Sequence, residues 1–309
     1  MENLAARKII NDLLEDPNLY QQLSEQEGQV WGEKFSNQER SQLITADQEA
    51  AKKLKLNRNH LELIAVLKKH KLVPQVGLSL GCGQGRAERR LMERKVCTKF
   101  HGIDVAAEAL TVARNQAAQH QLDITYEQAD LNYVVLKEQT YDLVVAQTCL
   151  HHVLRLENLA DQIFKSLKPG GVLWIHDYIG ETQFQYSDER MEWANAIMDT
   201  LPERLRYDTI GNRLLKGIKR KPPGTLVSPF EAIRSGEIMS IFLQRFEVVE
   251  KSEFNSILHL VCQRGTRSSY LASEDGQVVF ELIVLLDKML IDKGILPPAG
   301  GQYLLRPKS

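Results

Sequence analysis

LSLGCGQG, from Leu78 to Gly85, is the most informative short stretch of this chain. It places three glycines within five positions directly behind an apolar run that begins at Val76. A glycine-rich loop between a strand and a helix lets the backbone approach a ligand closely, and the first amides of the helix point donors at ribose or phosphate. The stretch therefore predicts a nucleotide-binding strand, loop and helix, with a tight turn in an unrelated α/β protein as the alternative.

The spacing of the glycines separates two classes of nucleotide-binding loop. Gly81, Gly83 and Gly85 form the pattern G-x-G-x-G. The dinucleotide fingerprint of oxidoreductases is G-x-G-x-x-G, in which the third glycine comes one position later. The spacing therefore disfavours a nicotinamide oxidoreductase.

Length and composition limit the classes of protein that fit. The 309 residues are 43% hydrophobic and 26% charged, which is enough to bury one large core. With 39 basic and 40 acidic residues the net charge is -1, so no overall field would attract nucleic acid or an anionic membrane. The sequence shows no apolar run of the length of a signal peptide or a membrane-spanning helix. We expect a cytoplasmic protein that binds neither nucleic acid nor a membrane.

The cysteine pattern also favours a cytoplasmic protein. Four are present, and none of them has C-x-x-C spacing. This pattern argues against a zinc site or a disulfide framework and suits a reducing cytosol.

Strands and helices alternate after Pro74. The alternation predicts a parallel sheet with helices on both faces. Two further strands, close enough to pair with each other in antiparallel fashion, are predicted near the end of this region. The predicted strands span residues 76–80, 99–103, 124–128, 142–146, 171–176, 246–252 and 257–262.

Four regions follow from this pattern. Residues 1–72 are predicted to form an N-terminal helical segment or cap, and residues 73–180 with 246–265 the binding core. Residues 181–245 are too long for a structureless loop inside a compact domain, which predicts a helical lid over the substrate. Residues 266–309 are predicted to be a C-terminal helix and a tail.

Polar residues follow the predicted strands at their carboxyl ends, where open α/β sheets bind ligands. Asp104 comes about 20 residues after the glycine loop and can accept hydrogen bonds from both ribose hydroxyls, unless it only caps the next helix. Asp130 can accept from an adenine amino group while Leu131 packs on the ring. Gln147 leaves the fourth strand towards the same crevice.

Five motifs in order resemble those of the class I S-adenosylmethionine-dependent methyltransferases of the small-molecule type. They are LSLGCGQG, GID, AD, YDLVVAQTCLHHV and LKPGGVLWIHD, and the resemblance covers roughly residues 73–262. It implies a Rossmann-like α/β fold with a seven-stranded, mostly parallel sheet of order 3-2-1-4-5-7-6, in which strand 7 is antiparallel. It also implies S-adenosyl-L-methionine as cofactor and S-adenosyl-L-homocysteine as product. The residues implied to bind the cofactor are Gly81, Cys82, Gly83 and Gly85 around the methionine part, Asp104 and Val105 at the ribose, Asp130 and Leu131 at the adenine, and Gln147 near the sulfonium.

Two clusters are candidates for the catalytic residues. His151 and His152 can serve as a general base because histidine titrates near neutral pH. His176 and Asp177 form a second cluster at the end of strand five. Methyl transfer is an in-line displacement on a charged sulfonium, so alignment and desolvation can also supply much of the rate without a base. The catechol-type metal site of related enzymes would need an acid after strand four, where this chain has Gln147, so we expect metal independence.

The acceptor is expected to be a small molecule. Trp31, Tyr178, Phe184 and Tyr186 are predicted to line its pocket beneath the lid, with packing inside the lid as the alternative. The sequence lacks the Asn/Asp-Pro-Pro-aromatic pattern of nucleobase amino-methyltransferases after strand four. The leading hypothesis is methyl transfer to oxygen or nitrogen of a small metabolite such as a natural-product intermediate or a sugar. RNA or protein methylation and a non-catalytic cofactor-binding scaffold remain open, and the sequence does not indicate the oligomeric state.

Overall fold

A single seven-stranded sheet forms the centre of the molecule. The computed structural model describes residues 4–34, 38–58, 60–226 and 228–308. Seven strands pair in the order β3-β2-β1-β4-β5-β9-β8, and β6 and β7 form a separate small hairpin. The strands are β1 Val76–Leu80, β2 Lys99–Asp104, β3 Ile124–Gln128, β4 Tyr141–Gln147, β5 Leu167–Tyr178, β6 Tyr207–Asp208, β7 Arg213–Leu214, β8 Phe246–Phe254 and β9 Gly300–Pro307.

The strand order confirms the predicted fold class. When the strands of the large sheet alone are numbered along the chain, the order is 3-2-1-4-5-7-6. The pairs among β1 to β5 are parallel, whereas β9 runs antiparallel to both β5 and β8. The protein therefore has a Rossmann-like, mostly parallel sheet with one antiparallel strand.

Helices cover both faces of this sheet. In β4, Leu143 and Val145 pack into the apolar cluster on one face, and Val144 and Ala146 pack into the cluster on the other. A strand that is buried on both faces reads as a continuous apolar run, which is why this segment was visible in the sequence. The helices are α1 Leu4–Glu15, α2 Pro17–Lys34, α3 Gln38–Lys53, α4 Leu63–Lys69, α5 Arg86–Glu93, α6 Ala107–Gln119, α7 Leu156–Ser166, α8 Asp188–Thr200, α9 Ile238–Arg245, α10 Leu258–Val261, α11 Arg267–Leu271 and α12 Glu274–Asp292.

One predicted strand is wrong. Residues 257–262 contain α10, and the last strand of the sheet is β9, from the predicted tail. The buried carboxylate of Asp287 on α12 accepts hydrogen bonds from the amides of Ile257, at 2.7 Å, and Leu258, at 2.8 Å, which holds the start of α10. A short apolar run does not by itself distinguish a buried strand from a buried helix. Because β9 lies between β5 and β8, part of the predicted tail belongs to the core.

The N-terminal helices pack against the segment between β5 and β8. Leu13 of α1 and Tyr20 of α2 share an apolar cluster with Phe230 and Ile233. The segment predicted as a lid is only partly separate from the core, because Phe242 of α9 packs in the main apolar cluster of the sheet. Among the described residues, the helices are all too short or too polar to cross a membrane.

Candidate functional site

A cavity of about 1150 Å³ lies at the carboxyl ends of β1, β2, β4 and β5. This volume is slightly above the usual range for small-molecule sites, roughly 300–1,000 Å³. Residues of the predicted site from six separate segments of the chain meet there. Those that line the cavity are Trp31, Gly81, Cys82, Gly83, Asp104, Val105, Asp130, Leu131, Gln147, His151, His152 and His176.

The glycine loop has a backbone that only glycine adopts readily. Gly81, Gly83 and Gly85 have φ angles of 55°, 53° and 75°. A Cβ atom on Gly81 would lie 2.4 Å from the Cβ of Cys149, and one on Gly85 would lie 2.3 Å from the Tyr126 hydroxyl. Gly81 and Gly83 line the cavity, whereas Gly85 lies outside its lining and precedes α5. At Gly81 and Gly83 the loop therefore presents backbone atoms to the cavity without a side chain in between.

Asp104 connects the glycine loop to the next helix. Its Oδ2 accepts a hydrogen bond from the Gly83 amide at 2.7 Å, and its Oδ1 accepts one from the Ala106 amide at 2.9 Å. Burial raises the pKa of Asp104, although these amide hydrogen bonds act against the shift. Each carboxylate oxygen keeps a second lone pair for a ligand hydroxyl. The capping role and the predicted ribose role are therefore compatible at this residue.

Asp130, the predicted adenine contact, is held by helix α2. Its Oδ2 accepts hydrogen bonds from the Tyr20 hydroxyl at 2.6 Å and the Ser24 hydroxyl at 3.3 Å. Its Oδ1 accepts from the backbone and side-chain amides of Asn132, both at 2.9 Å. Burial, followed by the charge of Asp130, raises the pKa of Tyr20. An N-terminal helix thus closes the β3 side of the cavity, which the sequence did not show residue by residue.

His151 lies between two carboxylates. Its Nδ1 is hydrogen-bonded to Oδ1 of buried Asp177, and its Nε2 lies 3.5 Å from Oε1 of Glu231. Oδ2 of Asp177 also accepts the amides of Cys149, at 2.9 Å, and Leu150, at 2.7 Å. Burial alone would lower the pKa of His151, but the two carboxylates raise it to about 10. His151 is therefore protonated at neutral pH, and Asp177 lies beneath the cavity rather than in its lining.

His152 has a different environment. Its Nδ1 lies 2.9 Å from Oε1 of Glu27, and its Nε2 is buried without a hydrogen-bond partner among the described residues. Glu27, which is 6% exposed, also accepts hydrogen bonds from Trp31 Nε1 at 2.7 Å and the Ser228 hydroxyl at 2.7 Å. Burial raises the pKa of Glu27, but the hydrogen bonds from His152, Ser228 and Trp31 outweigh it and lower the pKa overall. The sequence analysis missed Glu27, whose position on the same helical face as Trp31 was the available signal.

The end of the cavity near β5 carries uncharged polar groups. The ring of His176 makes an edge contact with that of His60, with centroids 5.5 Å apart, and His60 stacks on Phe254 at 3.8 Å. Burial, followed by the nearby His176, lowers the pKa of His60 to about 4, and burial lowers that of His176. Gln147 lies beside His176 in the register of β4 and β5. Gln302 of β9 also lines this end, and the sequence missed it because its strand was assigned to the tail.

The other predicted acceptor residues form a cluster outside the cavity lining. Tyr178 and Phe184 make an edge contact with centroids 5.0 Å apart, and Tyr186 packs 5.8 Å from the ring of His259. Both ring nitrogens of His259 are buried, and burial followed by the charge of Arg190 lowers its pKa to about 3. This arrangement corresponds to the alternative given for these aromatics, packing within the segment itself.

One histidine and carboxylate group could in principle bind a cation. His151, His152 and Glu231 each offer one ligand atom, and these atoms lie within 4.8 Å of one another. Bonds of about 2.1 Å in a tetrahedral site place ligand atoms about 3.4 Å apart, so the group is wider than a formed site. The expectation of metal independence stays a prediction.

Comparisons with known proteins agree with the motifs. Residues 78–171 match the family model described as a methyltransferase domain. The chain is 29% identical over 98 residues to the ubiquinone biosynthesis O-methyltransferase of Coxiella burnetii, which covers 32% of this chain and 41% of that protein. It is 32% identical over 110 residues to the human mitochondrial arginine-hydroxylase NDUFAF5, covering 36% and 30% of the two chains. The chain thus spans less than half the length of either relative.

A solved structure of a putative sarcosine dimethylglycine methyltransferase from Galdieria sulphuraria is 17% identical. The two share a TM-score of 0.49, and the match covers 80% of this chain and 84% of that one. The domain match and the ordered motifs agree with each other, and the glycine loop and the Asp104 carboxylate suit a nucleoside. Residues 78–171 therefore match a methyltransferase domain, and the ordered motifs of the same region resemble those of the class I S-adenosylmethionine-dependent methyltransferases.

Proposed function

We propose that this protein transfers a methyl group from S-adenosylmethionine to an oxygen or nitrogen of a small metabolite. The observation that carries the proposal is the single cavity that holds both the glycine loop with Asp104 and the uncharged polar end with Gln147 and His176. Cofactor residues and a further polar subsite in one space are what a two-substrate reaction requires. When bound, S-adenosylmethionine supplies an electrophilic methyl group on a positively charged sulfur.

The residues of this chain have distinct roles in the proposal. The backbone at Gly81 and Gly83 admits the methionine part closely, Asp104 accepts hydrogen bonds from the ribose hydroxyls, and Leu131 packs on the adenine. The end of the cavity with Gln147 and His176 holds the acceptor in line with the methyl group. Alignment of this kind converts a two-molecule step into an effectively one-molecule step.

Two observations favour a small acceptor. The Coxiella burnetii relative is named for ubiquinone biosynthesis, a pathway of small-molecule chemistry. The net charge of -1 offers no general attraction for RNA. The human relative is named a hydroxylase, so an assay has to detect the products of methyl transfer themselves.

The test combines binding and turnover. We expect calorimetry to detect binding of both S-adenosylmethionine and S-adenosylhomocysteine, and Asp104→Ala to abolish binding and turnover together. Asp123→Ala is the control, because Asp123 is an exposed acid just before β3. Turnover is followed with methyl-labelled S-adenosylmethionine and fractions of a small-metabolite extract.

Label in a small molecule, together with S-adenosylhomocysteine, would support the proposal. A wild type that binds neither cofactor form at millimolar concentration would contradict it. A wild type that binds both forms but labels only RNA or protein would correct the acceptor class, and binding without any transfer would favour the scaffold alternative.

A further inference from the structure

One face of helix α2 carries four side chains into the cavity. Tyr20, Ser24, Glu27 and Trp31 are spaced by four, three and four residues, the spacing of one helical face. All four line the cavity, and Tyr20 and Glu27 are buried. Burying polar side chains destabilises the folded protein unless they form hydrogen bonds. The contacts of these residues therefore indicate their role.

This face of α2 contacts two different parts of the site. Near its N-terminal end, Tyr20 and Ser24 donate hydrogen bonds to Asp130. Near its C-terminal end, Glu27 accepts a hydrogen bond from His152, and the Trp31 ring makes an edge contact with that histidine at 5.2 Å. Helix α2 therefore bridges the predicted adenine residue and the histidine that faces the cavity.

The contact with Glu27 fixes the state of His152. A carboxylate accepts only, so Nδ1 of His152 carries the hydrogen of this contact, and in the neutral ring Nε2 presents a lone pair. Glu27 is itself held by Ser228 and Trp31, which leaves it little freedom to release the ring. The lone pair at Nε2 is buried and has no hydrogen-bond partner among the described residues.

We propose that Glu27 is a positioning residue that holds His152 with Nε2 ready to receive the proton of the acceptor. This inference rests on the proposed methyl transfer. The acceptor oxygen or nitrogen bonds to the methyl carbon as the carbon–sulfur bond breaks, the electron pair leaves on sulfur, and the acceptor proton passes to His152 Nε2. His151 does not suit this role, because both of its ring nitrogens already face carboxylates.

Several charged groups surround His152. Glu27 faces it from α2, the charge of Asp104 reaches it from the end of β2, and His151 lies beside it with a centroid distance of 4.1 Å. Glu231 comes within 4.8 Å as part of the histidine group. Replacing Glu27 alone therefore removes the carboxylate that is in direct contact with His152.

The first experiment needs no acceptor. Histidine-selective ¹⁵N NMR of the full chain with S-adenosylhomocysteine should show His152 protonated at Nδ1 and unprotonated at Nε2. Glu27→Gln should remove this preference, because an amide can also donate to Nδ1. Glu25→Gln, the same change at an exposed position of α2, should leave it intact. Retention of the wild-type signal in Glu27→Gln would overturn the proposal.

The second experiment uses an acceptor found in the transfer assay. Glu27→Gln should lower kcat by about 100-fold or more, the usual contribution of a general base, with the KM for S-adenosylmethionine unchanged. Glu27→Asp, which keeps the charge, should recover part of the loss. An unchanged kcat in Glu27→Gln beside an active wild type would overturn the role of Glu27 and leave the proposed function standing.

The outcomes separate the two proposals. A wild type without methyl transfer to any acceptor would refute the proposed function, whatever the state of His152. Activity that is lost on chelation and restored by Mn²⁺ would make His151, His152 and Glu231 metal ligands, and would overturn the proton role of His152.

Discussion

The two long walls of the cavity are built in different ways. The cofactor edge, defined as the glycine loop with Asp104 and Asp130, uses residues that follow consecutive strands of the sheet. The cap face, defined as Tyr20, Ser24, Glu27 and Trp31 of α2, reaches the same cavity from a separate N-terminal helix. Its Tyr20 contacts Asp130, which lies 110 residues further along the chain. The first wall is encoded locally, and the second depends on tertiary packing.

The largest effect is expected at the cofactor edge. Gly81→Ala should reduce the affinity for S-adenosylhomocysteine by on the order of 100-fold, because the new Cβ meets Cys149 in a backbone conformation that alanine disfavours. Calorimetry measures this loss.

Gly170→Ala is a matched control for the glycine. Gly170 also has a positive φ, 81°, but no atom lies within 4 Å of its would-be Cβ. Gly170→Ala should lower the free energy of unfolding by about 1–2 kcal/mol and leave the affinity for the cofactor unchanged. Equal losses of affinity in both variants would show that backbone strain, rather than the shape of the cofactor edge, causes the effect.

This difference also explains what the sequence could predict. Asp104 and Gln147 were found because strand ends in a parallel sheet meet at one edge, whatever the rest of the chain does. Glu27 was missed because its position on the same helical face as Trp31 does not by itself show that this face turns inwards. Gln302 was missed because its strand, β9, was not predicted. The apolar run at 257–262 was predicted as the last strand of the sheet, whereas the structure shows that Asp287 binds the amides at the start of this run and that it contains a helix.

The second prediction concerns a histidine outside both walls. His259 has a pKa of about 3 when folded, below its usual value, so it stabilises the fold fully above about pH 6.5 and less as the pH falls towards 3. The unfolding free energy should drop by up to about 1.4 kcal/mol per pH unit from this group alone. Urea titrations between pH 7 and 4.5 should show a shallower decline for His259→Gln than for the wild type. Identical slopes would mean that the pKa of His259 is not lowered in the folded protein.

The third prediction tests how much the contact between the cap face and Asp130 contributes to the free energy of unfolding. Tyr20→Phe removes the hydroxyl that donates to Asp130 at 2.6 Å and keeps the buried ring. A hydrogen bond to a charged group contributes about 1.5–3 kcal/mol, so we expect a loss of that order in the unfolding free energy. Tyr133→Phe is the control, because the Tyr133 ring also contacts Tyr20 but is half exposed. An equal loss in the control would mean that removing any tyrosine hydroxyl from this cluster lowers the stability, and that the Asp130 contact is not the cause.

The smallest effect is expected at Tyr186, which the sequence placed in the acceptor pocket. The structure packs it against His259, outside the cavity lining, so Tyr186→Phe should leave the KM for the acceptor and the affinity for S-adenosylhomocysteine within about twofold of the wild type. Trp31→Phe, on the cap face, should change the acceptor KM clearly, because Trp31 lines the cavity and also holds Glu27. Steady-state kinetics with one acceptor measures both. A rise of the KM in Tyr186→Phe as large as that in Trp31→Phe would extend the acceptor site beyond the cap face into the aromatic cluster.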